Sequence, residues 1–139
     1  MALDTQLSNA AVNAQADALA RLLDNGYCRI YGAAKPANAD TALSGQTLLA
    51  EPRFNATSAP AASGGVLTFN AFTADSAANN DGVAVWFRAY KSDGTTAVLD
   101  GTVGTSSANL VMADTTIFAG ALVQVTSLTH TVAKATTGY

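Results

Sequence analysis

At 139 residues the chain has room for one domain with a core of its own. Only 12% of it is charged, about half the share usual in globular domains, so Ala, Thr, Ser, Gly and Asn supply a near-neutral surface suited to packing in an assembly or to a compact β domain. The net charge of −3 and the scatter of the seven basic residues exclude the basic patch a nucleic-acid partner requires, and no apolar run approaches the roughly 20 residues of a membrane span.

The opening "MALDTQLSNA" has neither the basic nor the apolar region of a secretion signal. Cys28, the only cysteine, has no internal disulfide partner. Both features predict a chain made and kept in the cytoplasm of the cell that translates it.

Residues 4–24 have helical periodicity. Leu7, Ala11, Ala14, Ala18 and Leu22 recur at spacings of three or four, Leu19 and Leu23 widen the stripe, Asp4 is placed to cap the start, and Gly26 stands where the helix stops. A face built largely of alanine buries little area, so this helix must lie on something, either its own β domain or a neighbouring subunit.

After Gly26 the pattern becomes β. "YCRIY" (27–31) is a short strand with Cys28 and Ile30 on one face and Tyr27, Arg29 and Tyr31 on the other. A small-residue loop (32–46) leads to "TLLAEPRF" (47–54), a strand bent near Pro52, then to a second loop (55–65) and the alternating "VLTFNAF" (66–72). Residues 83–90 set Val83, Val85, Phe87 and Ala89, expected inside, against Ala84, Trp86, Arg88 and Tyr90. "SDGT" (92–95) offers Asp-Gly for a two-residue hairpin turn into "TAVLDGTVG". "ANLVM" (108–112), a turn-like "ADTTIFAG" (113–120) and a long strand 121–133, with a bulge near Ser127, complete the series, and "KATTGY" has the look of a frayed tail.

The expected fold is therefore mainly β: an antiparallel β-sandwich or jelly-roll-like domain of seven to eight strands with one N-terminal amphipathic helix. Its parts are a helical docking arm (1–26), the β-sandwich (27–133) and a C-terminal tail (134–139).

Chemistry is sparse. One His and one Cys make no zinc set, so His130 reads as a surface or interface residue and Cys28 as a small buried hydrophobe. "DSAANNDG" lacks the ligand spacing and closing Glu of a calcium loop, Glu51 is the only glutamate, and no glycine run joins a strand to a helix as a phosphate cradle would. No catalytic residue, cofactor or metal is expected. Trp86, Arg88 and Tyr90 form the one cluster with ligand-binding character, a stacking surface for sugars or protein, or else a second packing layer under the helix.

"ARLLDNGYCRIYGAAKPANADTALSGQTLLAEPRF", "GVAVWFRAYKSDGTTAVLDGTVGTSSANLVM" and "FAGALVQVTSLTHTV" together resemble small structural proteins of tailed bacteriophages. The likeness spans about residues 15–133 and includes Arg29, Ile30, Tyr31, Ser92, Asp93, Gly94, Asp100, Gly101, Gly104 and Thr105, whose role it implies to be architectural. It implies a non-enzymatic virion protein of the decoration or cement type, on the capsid exterior and often trimeric, with the major capsid protein as partner and no nucleic acid or membrane. Leu7, Ala11, Ala14 and Ala18 are the expected interface. The alternative is a tail, neck or head-fibre domain that touches the host surface or carbohydrate through Trp86, Arg88 and Tyr90.

Overall fold

A computed structural model describes residues 4–136. In chain order the elements are β1 (Thr5–Gln6), α1 (Asn9–Leu23), β2 (Tyr27–Tyr31), β3 (Leu48–Ala50), β4 (Val66–Thr68), β5 (Gly82–Val83), β6 (Trp86–Tyr90), β7 (Ala97–Gly104), β8 (Leu110–Val111), β9 (Thr116–Ile117), β10 (Ser127–Thr131) and β11 (Ala135–Thr136). The chain is thus mainly β with one helix, as its sequence predicts.

The main sheet has seven strands in the order β3-β2-β6-β7-β8-β10-β4. It is mixed, because β7 and β8 run parallel while the other neighbours are antiparallel. Two short ribbons, β1–β11 and β5–β9, are added to it.

The helix begins later than predicted. Residues Thr5 and Gln6 are extended and pair with Thr136 and Ala135, and Leu7 N–H donates to Lys134 C=O at 2.8 Å. Part of the expected tail is therefore a strand; residues 137–139 lie outside the described range. The cap is Ser8 rather than Asp4, its hydroxyl accepting from Ala11 N–H at 3.1 Å, while Asp4 accepts from the Gln6 amide. At the other end Asn25 takes the left-handed conformation (φ 57°) and Gly26 N–H closes on Leu23 C=O. Gly26 is needed for a different reason: a Cβ there would lie 2.2 Å from Tyr90 C=O.

The buried face is also rotated from the expected one. Val12, Ala16, Ala20 and Leu23 are buried, and the last three share a core with Cys28, Ile30, Leu67, Phe87 and Leu128. Ala14, Ala18 and Leu22 point to solvent. An alanine-rich helix has two stripes of similar hydropathy, and the bulk of Val12 and Leu23 decides between them because the sheet offers a cavity to fill.

The hairpin loop contains four residues, with Lys91 N–H bonded to Thr96 C=O. Only Gly94 has positive φ (72°). Asp93 does the remaining work: its carboxylate accepts from the N–H groups of Thr95 and Thr96, both at 2.8 Å, and from the Thr96 hydroxyl. These bonds, led by those from Thr96, hold the Asp93 carboxyl well below the usual carboxylate range.

Strand β6 is buried on both faces, so its alternation does not separate core from solvent. Val83 and Val85, expected inside, are exposed: Val83 pairs with Thr116 in the β5–β9 ribbon, and Val85 bonds through its backbone to Tyr31 and Val103 while its side chain stays outside. The expected long strand 121–133 contributes only β10 and a single bridge from Val123 to Asp75.

Candidate functional site

The cluster that reads in sequence as either a stacking surface or a second packing layer is inside. Trp86, Arg88 and Tyr90 are 0%, 4% and 7% exposed. Tyr31 stacks on Trp86 with ring centroids 4.7 Å apart. Arg88 donates to both Asp100 oxygens at 2.7 and 3.0 Å and to Asn38 C=O at 3.1 Å, so the loop after β2 roofs this face. The pairing with Asp100 raises the Arg88 pKa further. Trp86 Nε1 is buried with no hydrogen-bond partner among the described residues. As a stacking platform for sugars the three side chains are unavailable; they form a second packing layer, beneath a loop and not the helix.

Two of the positions quoted for the resemblance, Arg29 and Gly101, sit in tight structural contacts. Arg29 donates to Glu51 and to Gly94 C=O, tying β2 to the hairpin loop, and its guanidinium lies 4.5 Å from the Tyr90 ring centre. A Cβ on Gly101 would come within 2.5 Å of the Phe87 ring.

Of the expected interface, Leu7 and Ala11 are half-buried and Ala14 and Ala18 are exposed. With Leu22 at the next turn, the outer face of α1 presents small apolar groups to solvent. A second apolar region was not anticipated. Val83 is in the β5–β9 ribbon, Val85, Phe118 and Leu122 follow its two strands in sequence, and Phe118 and Leu122 are 64% and 60% exposed. Phe118 and Leu122 line a cleft of about 350 Å³ together with Met112, Ile117 and Val123. The signal in the sequence was "IFAGAL": two large apolar residues around Gly120 (φ 82°), where a turn should be polar.

Among the described residues the ionisable side chains that meet are ion pairs: Arg21 with Asp24, Arg29 with Glu51 and Arg88 with Asp100. Cys28 is fully buried, which pushes its thiol far above the ordinary range, and burial lowers the pKa of half-buried His130. Among the described residues no three of His, Cys, Asp or Glu are placed to hold a metal ion. No described helix is long and apolar enough to cross a membrane. What the arrangement offers is apolar contact surface on a tied framework.

No family model, curated protein or solved structure matches this chain.

Proposed function

We propose that this chain is a non-enzymatic virion structural protein that decorates the capsid exterior as a homo-oligomer, on the resemblance a trimer, and cements the shell by binding the major capsid protein. The observation that carries the reading beyond the resemblance is the set of exposed apolar side chains Val83, Val85, Phe118 and Leu122 on and just beyond the β5–β9 ribbon, the last two beside a cleft. Side chains of that size left in water mark a contact surface. A low-charge exterior supports the same reading, since repeated copies pack without accumulating repulsion. Cementing then works by mass action, because a protein that binds only the assembled shell stabilises it by its own binding energy.

The test is the copy number per purified virion, measured by quantitative mass spectrometry against the major capsid protein. A ratio of one to one, or one to a small integer, is expected; a handful of copies would reassign the chain to the neck, tail or fibres. In the same particles Phe118→Asp or Leu122→Asp should weaken attachment by about 10–100-fold, the worth of burying one large apolar side chain. Thermal unfolding of the free chain should not change, because both side chains are already in water.

A further inference from the structure

The main sheet is missing most of a strand. β8 has two residues, which pair with β7 only at Val103 and Gly104 and with β10 only at Ser127 and Leu128. On one side β7 continues back to Ala97, and on the other β10 continues to Thr131, with no described strand between them. Since β8 separates the two at one end, the gap opens at twice the spacing of neighbouring strands, about 9–10 Å. A cavity of about 410 Å³ occupies it, lined by Phe87, Leu99 and Leu128 toward the core and by Asp100, Thr129 and Thr131 from the flanking strands.

One residue already shows what the gap accepts. Asn109, just before β8, takes Thr129 N–H on its backbone C=O at 3.2 Å and Thr102 N–H on its side-chain Oδ1 at 3.1 Å. It thus bonds to both edges at once, as a strand residue would. Beyond Asn109 the mimicry stops. Strand alternation then turns Asp100 N–H and C=O on β7, and Thr129 C=O and Thr131 N–H on β10, into the gap with no strand to meet them.

We propose that this gap is a docking slot for an extended strand of a partner polypeptide, entering in line with β8, parallel to β7 and antiparallel to β10. Two facing edges one strand apart are satisfied together only by another strand, which is the chemistry of β-addition. The side chains set its pattern: small residues, apolar save beside the half-buried His130, alternate toward Phe87, Leu99, Leu128 and His130, and hydroxyl or small polar residues toward Thr129 and Thr131. Among its described residues a second copy has no such strand to lend. Its described strands are all paired, and its longest unpaired segment, 32–47, is bent by a turn from Asn38 to Thr41 beside Pro36. The slot is independent of the decoration reading.

The test is amide hydrogen exchange on the full ¹⁵N-labelled chain, with and without the synthetic peptide Lys-Thr-Val-Thr-Val-Thr-Lys. The expected result is slowing of exchange at Asp100 and Thr131 by about tenfold or more, with the β1–β11 amides unchanged. Thr131→Pro removes a donor that faces the gap and not β4, so it should abolish this protection while the β4 ladder stays intact. Three results would overturn the proposal: no protection at millimolar peptide, gap amides in the free monomer already as slow as those of β6, or protection that grows with protein concentration alone, which assigns the slot to a second copy.

Discussion

Arg88 joins three separate pieces of chain: its own strand, the opposing β7 through Asp100, and the loop after β2 through Asn38. Both ends of the ion pair are nearly dry, with side-chain exposures of 4% and 3%. Removing one partner leaves a buried charge uncompensated, so Arg88→Ala should cost about 3–5 kcal/mol in chemical denaturation. Arg88→Met paired with Asp100→Leu should recover most of that loss; a neutral single mutant would show that the pair is solvated. His130 supplies the pH dependence. Burial lowers its folded pKa, so the unfolded chain binds its proton first, and stability present above the unfolded value near 6.5 is lost as pH falls through that value and then the folded one. The unfolding midpoint should fall on acidification below about pH 6.5, and His130→Gln should flatten the part of that decline that belongs to this residue.

At the scale of elements the helix has two faces with two duties. The inner one is part of the core, so a deletion of residues 1–25 strips away Val12, Ala16, Ala20 and Leu23 and should unfold the β body with it. Ala16→Leu, which must force added volume into a closed contact, should destabilise by about 1–3 kcal/mol. Ala18→Arg on the outer face should leave the unfolding midpoint within about 0.5 kcal/mol and report only on docking. How these elements were written in the sequence differs from one to the next. "YCRIY" was legible to the residue, because alternation bounded by glycines has one reading. The helix was legible and its buried face was not, because alanines on two stripes leave the choice to the sheet. The Arg88–Asp100 pair was hidden by a bulge. Counting from the hairpin loop, Arg88 should oppose Leu99, but the register shifts between Ala89 and Tyr90 and brings Asp100 opposite instead.

For the molecule as a whole, composition and strand spacing conveyed the mainly β class, since short alternating runs between turn signals have few other solutions. The parallel placement of β8 and the gap beside it depend on contacts between segments far apart in the chain, which local pattern does not encode. The same holds for the β1–β11 ribbon, formed from a stretch that reads as helix and another that reads as tail. That ribbon has a mechanical consequence. Thr5 faces Thr136 at its outer end and Gln6 faces Ala135 behind it, so handles attached at Thr5 and at Thr136 would sit side by side. Tension applied through both attachments would peel the ribbon open one bond after another, as a zipper opens, and the body behind it would be spared until the last of those bonds had gone.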